Sequence, residues 1–415
     1  MSLRLPRHRA TTAQLAGLYP YVPSGTLPHS TVILGFDRLG ESGVFRFDPF
    51  ALYRAQAITN PNLVVFGEPG TGKSTAVKAF CRRLAETRPT YVAVIDPKGE
   101  YKPLARALGL SMVQLRPGGS TRLNPLARSG AADDRTRRTS LLQGLLAIVT
   151  RRELTALEEA TLTWILDELD LRRGPEPILG DVLQLLGEPS SAMVERSRRT
   201  ASELAGELDH LRLSCGRLVE RDLAGMFDGH DTVGPDPDGP GVVLDLSALH
   251  HEPQALALVM AAAAAWLQGT LGRPPVPGGR QRVQILDEAW ALLASERTAR
   301  YLQACFKLCR AWGVANIAIS HRISDLSAQT DDGAATTKIA AGLLADAQTR
   351  IVFRQSPDQA PGARSLLGLT DTQAKLLPSL GRGCAIWLVA GRPHLVEHIL
   401  DDIDLGICDT DEALR

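Results

Sequence analysis

Eight consecutive residues, Gly67-Glu68-Pro69-Gly70-Thr71-Gly72-Lys73-Ser74, satisfy the pattern G-x-x-x-x-G-K-[ST] at every fixed position. Glycines at these places let the backbone curl until successive N–H groups converge on a phosphate chain. Lys73 can then reach the β- and γ-phosphates, and the Ser74 hydroxyl can ligate Mg²⁺. The helix that opens here, with Thr75, adds its positive N-terminal end. Residues Gly67 to Thr75 are the candidate nucleotide-binding set, with ATP and Mg²⁺ as the expected ligands. The competing reading is a glycine-rich turn without a ligand. Context opposes it. Leu63-Val64-Val65-Phe66 is the apolar run of a buried parallel strand, and Thr75 to Leu84 is helical with Val77, Phe80 and Leu84 on one face.

A second stretch carries complementary chemistry. Val283-Gln284-Ile285-Leu286-Asp287-Glu288-Ala289-Trp290 reads as an apolar strand ending in two carboxylates. Asp287 can hold Mg²⁺ through water, and Glu288 can orient and deprotonate the attacking water. Alone, a strand followed by Asp-Glu is a weak signal, and both carboxylates could simply cap the next helix. Beside a complete phosphate loop it becomes strong. The strand Val314–Ser320 then ends at His321-Arg322. Its place after the acidic strand makes His321 a candidate γ-phosphate sensor, with a surface residue opening a loop as the alternative.

These elements must be placed by a larger framework. The chain has 415 residues, enough for two ordinary domains or for one α/β core with a large insertion. Its formal net charge is zero, from 46 basic and 46 acidic residues, so bulk charge does not point to nucleic acid. Cys81, Cys215, Cys305, Cys309, Cys384 and Cys408 show neither metal-ligand spacing nor a disulfide framework, and reduced cytosolic thiols are expected. The basic start at Arg4, Arg7, His8 and Arg9 is not followed by an apolar stretch, so no signal peptide is expected. The longest apolar run, Ala255 to Leu267, falls short of the roughly twenty residues needed to span a bilayer. It reads as a helix buried against a sheet, which leaves membrane association to a partner.

The fold class expected is α/β, a mainly parallel sheet flanked by helices with an inserted all-helical subdomain. Residues 1–60 form a small leading module with strands near Thr31–Phe36 and Gly43–Phe47. The sheet domain takes 61–127 and 229–405, and residues 406–415 form a tail. Between them, residues 128–228 show period-3.6 apolar patterns: Leu141, Leu142, Leu145 and Leu146; Leu157, Leu162, Ile165 and Leu169; Leu204, Leu208 and Leu211. Arg135, Arg137, Arg138, Arg151 and Arg152 in this insertion can contact nucleic acid or line a solvated helix face.

In order along the chain, Gly67–Ser74, Asp96-Pro97-Lys98-Gly99-Glu100-Tyr101, Leu123-Asn124-Pro125-Leu126, Phe227-Asp228-Gly229, Asp287-Glu288-Ala289-Trp290 and Arg310–Gly313 form a set. The set resembles the motor domain of the conjugative type IV secretion ATPases, the VirB/TraC-type family within the FtsK–HerA superfamily, over about residues 30–400. That resemblance implies a RecA-like sheet and ATPase subunits that form a ring, usually a hexamer. It implies energy supply to a secretion channel, with membrane-embedded channel proteins and DNA or a relaxase–DNA complex as partners. It also implies that Arg310 is an arginine finger reaching the neighbouring subunit's γ-phosphate, with Arg322 and Arg354 as rivals. Three departures stand out. Only about sixty residues precede the phosphate loop, so the family's N-terminal domain is expected on a separate polypeptide. His321 stands where the family's sensor is typically Gln. Arg310-Ala311 stands where a basic pair is typical. Three readings compete with the secretion motor: a DNA-pumping translocase or coupling protein of the same superfamily, a small-molecule phosphotransferase, and an assembly subunit that binds ATP without turnover.

Overall fold

The computed structural model describes residues 27, 30–39, 43–128, 134–172, 174–234, 236, 238–271, 278–293, 296–321, 339 and 341–408. Eleven strands build one sheet: β1 (Ile33–Asp37), β2 (Gly43–Arg46), β3 (Leu63–Phe66), β4 (Thr90–Asp96), β5 (Ser111–Gln114), β6 (Gly241–Asp245), β7 (Gln281–Leu286), β8 (Val314–Ser320), β9 (Thr349–Phe353), β10 (Cys384–Val389) and β11 (Arg392–His398). Their spatial order is β2-β1-β11-β10-β9-β3-β8-β7-β4-β6-β5. The run from β9 to β5 is parallel, as buried runs such as Val92–Ile95 demand, and the strands from β10 to β2 are antiparallel. This is the RecA-like P-loop architecture.

On the antiparallel side, local sequence accounts for the β10–β11 hairpin and not for the pairing of β1. β10 and β11 are joined by Ala390-Gly391, both with positive φ (49° and 79°), the twist-matched two-residue hairpin turn. β1 and β2, expected in a leading module, extend the central sheet instead, because β1 pairs with β11 at Gly35↔His398. A Cβ at Gly35 would lie 2.0 Å from the Glu397 carbonyl oxygen, so only glycine allows this approach.

The sheet is apolar on both faces. Leu63, Val65, Val92 and Val94 meet Ala76, Val77, Phe80 and Leu84 of the helix Lys73–Thr87. On the other face, Val64, Phe66, Tyr91, Ala93 and Ile95 join one core with the helix Pro253–Leu271 and with the insertion. The Ala-rich run is thus a buried helix, and none of the described helices is long and apolar enough to cross a membrane. The insertion comprises the helices Asp134–Thr150, Ala156–Leu171, Leu179–Gly187, Ser191–Ser197 and Ala201–Val219. Two of them open on capping boxes, Thr155 with Glu158 and Thr200 with Glu203. Leu142, Leu146, Leu162, Ile165, Leu204 and Leu208 are fully buried between these helices.

Asn62 fixes the phosphate-loop strand to its surroundings. It is fully buried. Its Nδ2 donates to the carbonyls of Phe306 (2.8 Å) and Asp346 (3.3 Å), while its Oδ1 accepts from the backbone N–H and Nδ2 of Asn316 (3.3 and 3.0 Å). One side chain therefore joins β3, β8 and the helix Glu296–Trp312. Removing it leaves buried donors and acceptors unpaired, at about 1–3 kcal/mol for each group stranded without a partner. Asn62→Ala should lower stability by about 3 kcal/mol in urea denaturation, and a loss below about 1 kcal/mol would contradict this role for Asn62.

Candidate active site

The strand registers decide which side chains meet. Phe66 lies beside Ser320, Leu286 beside Ala318, and Ile95 beside Leu286. One step further along each strand, Gly67 comes next to His321, and Asp287 next to Asp96. The carboxyl ends of β3, β8, β7 and β4 thus share one edge, where open α/β sheets bind ligands.

The phosphate loop is tightly built. Gly70 and Gly72 have φ of 75° and 106°, and a Cβ on Gly67 would lie 2.6 Å from that of Phe353. Gly383 braces the loop from behind by donating its N–H to the Thr71 carbonyl (3.0 Å). The Thr71 hydroxyl donates to the Glu68 carbonyl (2.7 Å). Lys73 opens the helix. Its ammonium donates to the carbonyls of Gly67 (2.6 Å) and Glu68 (2.9 Å) and lies 3.2 Å from His321 Nδ1. Burial lowers its pKa to about 8, against the favourable charges of Asp287 and Glu288.

Asp287 and Glu288 are both buried, at 4% and 2% exposure. Asp287 Oδ1 accepts the Glu288 backbone N–H (2.9 Å). Burial first, and then the neighbouring Glu288 charge, push Asp287 up to about 6. Glu288 adopts φ of 53°, in the left-handed region that costs a side-chain-bearing residue of the order of 1–3 kcal/mol. Its Oε1 meets Lys98 Nζ and His321 Nε2, the latter at 2.6 Å. Although burial opposes its charge, these two partners bring Glu288 down to about 2. The short contact to a carboxylate places a proton on Nε2, and the Lys73 ammonium stands beside the other ring nitrogen, Nδ1. Lys98 Nζ also lies 3.2 Å from Nε2, an approach of two donors and not a bond. Lys73, His321, Glu288 and Lys98 therefore form one continuous polar chain.

Lys98 is the functional residue that sequence reasoning left without a role. It sits in a turn organised by Asp96. That buried carboxylate accepts the N–H groups of Lys98, Gly99 and Glu100 on Oδ1 (3.2, 2.8 and 3.2 Å) and that of Tyr101 on Oδ2 (2.9 Å). The available signal was a lysine just past the acidic tip of a buried strand. Only the β4–β7 pairing reveals that the tip adjoins Glu288.

Among the arginines, Arg310 is exposed at the end of the helix Glu296–Trp312, just before β8 begins. β8 runs away from it for seven residues, about 20 Å at 3.3 Å per residue, before reaching His321. Arg310 thus lies at the opposite edge of the sheet from its own phosphate loop. Arg354 stands beside that loop, with Nε 3.5 Å from Glu68 Oε2. Arg350 is half-buried and donates to the carbonyls of Leu367 and Leu344, an internal structural role. Arg322 lies outside the described residues. In the insertion, Arg135, Arg137, Arg138 and Arg152 bind Asp167, Asp170, Asp134 and Glu158 of the same chain. Cys305 and Cys309 are buried core residues, and no metal-ligating group of three or more His, Cys, Asp or Glu occurs among the described residues.

The residues present fit a magnesium nucleotide. Mg²⁺ is commonly held by one or two protein groups together with phosphate oxygens and water, so Ser74 and Asp287 would suffice to hold it without a cage of carboxylates. A cation beside Asp287 and phosphate beside Lys73 would each favour the charged state that burial opposes.

Comparison with known proteins gives a consistent result. Residues 54–165 match the family model described as helicase HerA, central domain. VirB4 of Thermoanaerobacter pseudethanolicus superposes with a TM-score of 0.72 at 21% identity, covering 92% of this chain and all of that one. The plasmid coupling protein TrwB, solved with ADP and Mg²⁺, gives 0.58 at 17% identity over 82% of this chain and 86% of that one. TrwB with the ATP analogue ADPNP gives 0.57 at 16% identity over 83% and 86%. No curated protein sequence matches significantly. The chain has the fold of VirB4 and TrwB.

Lys73 is the cation central to the phosphate loop. Lys73→Ala should reduce ATP hydrolysis to background, measured as phosphate release, with folding checked by circular dichroism. Hydrolysis at the parental rate would place the active site elsewhere.

Proposed function

We propose that the chain is an ATP-hydrolysing motor subunit that energises a type IV secretion or conjugation apparatus, for substrate transfer or channel assembly. The observation that carries this reading is the polar chain from Lys73 through His321 to Glu288, beside Asp287, in a fold shared with VirB4 along 92% of the chain. In this reading the phosphate-loop N–H groups from Gly67 to Thr75 and Lys73 hold the β- and γ-phosphates. Ser74 and Asp287 hold Mg²⁺. His321 reports the γ-phosphate. A water oxygen bonds to the γ-phosphorus as the bond to the β–γ bridging oxygen breaks. Glu288 takes the water proton, and ADP and phosphate leave.

The domain boundaries proposed are 61–127 with 229–405 for the motor, whose sheet is extended by β1 and β2 from residues 1–60, and 128–228 for the helical insertion. Six copies form a ring in the cytoplasm, docked at the inner face of the membrane through channel proteins. Arg310 completes the neighbouring copy's site. A guanidinium suits this task, being always charged and able to bind phosphate oxygens in pairs.

The alternative with a specific observation in its favour is a DNA-moving coupling protein, because TrwB is described as a conjugative coupling protein. Against it, the described arginines at 135, 137, 138 and 152 are engaged by acidic residues of their own chain. The discriminating experiment is Mg·ATP hydrolysis with and without DNA. The secretion-motor reading expects turnover that DNA changes by less than about twofold. Stimulation of tenfold or more would transfer the assignment to the DNA translocase. In the same assay Glu288→Gln should bind Mg·ATP and stall, losing at least a hundredfold in rate, in line with about 10²–10⁴-fold for general base catalysis. Unchanged turnover would rule out Glu288 as the base and direct attention to Glu100.

Arg310 is tested by mixing two inactive variants. Arg310→Ala copies keep their own base, and Glu288→Gln copies keep their arginine. If Arg310 acts across the interface, mixed rings recover part of the parental rate, where an intact Glu288 meets a neighbour's intact Arg310. No recovery at any ratio would mean action within one subunit, and full activity of Arg310→Ala alone would remove the residue from the mechanism.

A further inference from the structure

Lys98 stands where the catalytic base and the γ-phosphate sensor meet. Its ammonium bonds Glu288 Oε1, which also accepts from His321, and lies 3.2 Å from His321 Nε2. His321 in turn is 3.2 Å from Lys73 Nζ on its other ring nitrogen. Two ammonium groups thus flank one imidazole, at the edge of the sheet where the phosphate loop ends. Both donors sit on Oε1, so they fix the orientation of the carboxylate and draw on the charge that would take a proton from water. Releasing one of these ties frees the carboxylate to turn toward the water and makes it the stronger base.

The construction of the turn identifies which. The backbone around Lys98 is immobilised by the four N–H groups that Asp96 collects. Behind it, the buried Lys78 ammonium lies over the Tyr101 ring at 5.0 Å and 4.0 Å from Glu100 Oε2, fixing the far side of the same turn. His321 is likewise held at its backbone, where Gln355 Nε2 donates to its carbonyl (3.4 Å). What can swing is the four-carbon stem of Lys98, whose side chain is 28% exposed on the open side of the site. A triphosphate presents more negative charge than a single carboxylate, and three equatorial oxygens to bond.

We infer that Lys98 is a second cation for the γ-phosphate: it holds Glu288 until a triphosphate is bound, then passes to the γ-phosphate and frees the carboxylate to act as base. The inference rests on the ATPase reading of this site. A diphosphate ends one phosphate short of Lys98 and leaves the clamp closed. Lys98 thereby couples the identity of the nucleotide to the readiness of the base.

The competing role is a plain counter-ion for buried Glu288. The two separate in a Glu288→Gln background, where no carboxylate remains to be neutralised and ATP is not consumed. Calorimetric titration with Mg·ATP and with Mg·ADP gives the preference for the triphosphate. Glu288→Gln should prefer ATP. Adding Lys98→Met should cut that preference about tenfold or more, the effect of losing one charged hydrogen bond, while ADP affinity is unchanged. Adding Lys98→Arg should keep most of it. An unchanged preference in the Lys98→Met double variant overturns the inference, as does a Glu288→Gln protein without any preference. Should Lys98→Met also lose ADP binding, the ratio in Lys98→Gln decides on the same terms. Failure of the parental chain to bind either nucleotide would instead defeat the ATPase reading itself.

Discussion

The site depends on one constraint: parallel strands distant in sequence must end level with one another. Gly67, His321, Glu288, Asp287 and Asp96 come from strands separated by up to about 250 residues, yet each lies at or just beyond a paired tip. In a sheet buried on both faces, a one-residue slip sends every side chain to the opposite face. Here such a slip would bring Tyr91, Ala93 and Ile95 to the side of the phosphate-loop helix and strand its own apolar face. The packing of hydrophobic residues therefore enforces a register whose chemical consequence appears only at the strand ends. Asn62 reinforces it at the opposite end, tying β3 to β8 at Asn316.

Electrostatics at that edge is unevenly balanced. Glu288, served by Lys98 and His321, is held down to about 2, whereas its neighbour Asp287 is pushed up to about 6 by burial and by Glu288 itself. Adjacent carboxylates thus have separate tendencies. Glu288 stays ionised through the physiological range, and Asp287 has only the more distant charge of Lys98 set against its burial. The linkage follows from the directions. The depressed Glu288 adds stability that is present above its unfolded value of 4.5 and lost as pH falls toward 2. The raised Asp287 favours the fold below its unfolded value of 3.8, and that contribution is lost as pH rises through 6. At neutral pH the site therefore keeps Asp287 ionised at a cost in stability, a cost that the proposed Mg²⁺ would offset.

Much of this was readable in the chain. The phosphate loop is defined by local spacing, and Leu63–Phe66 and Val283–Leu286 are apolar enough to be strands wherever they pair. The helix Lys73–Thr87, the buried helix at Pro253–Leu271 and the helical insertion follow from periodicity. What was not legible depends on pairings that local pattern does not encode. β1 joins the main sheet through β11, more than 350 residues away. Lys98 acquires its meaning from β4 lying against β7. Arg135, Arg137, Arg138 and Arg152 look available for nucleic acid until Asp134, Asp167, Asp170 and Glu158 are found beside them. A charge run in sequence gives composition, and only the fold gives partners.

The insertion is not an independent body hung on the sheet. Its leucines share one continuous core with Tyr91, Ala93 and Ile95 of β4, the strand that carries Asp96 and the turn bearing Lys98. The entry and exit segments are also joined. Asn124 donates its N–H to Asp231 Oδ1 (2.6 Å), which also accepts from Trp266 Nε1 of the buried helix (2.9 Å), and Asn124 Nδ2 donates to the Pro177 carbonyl (3.0 Å). Close-packed interiors transmit displacement because they contain few voids to absorb it. A shift at the end of β4 would therefore reach the insertion through side chains already in contact, with no mobile hinge required. The helical layer and the strand end that bears Asp96 are thus parts of one packed unit.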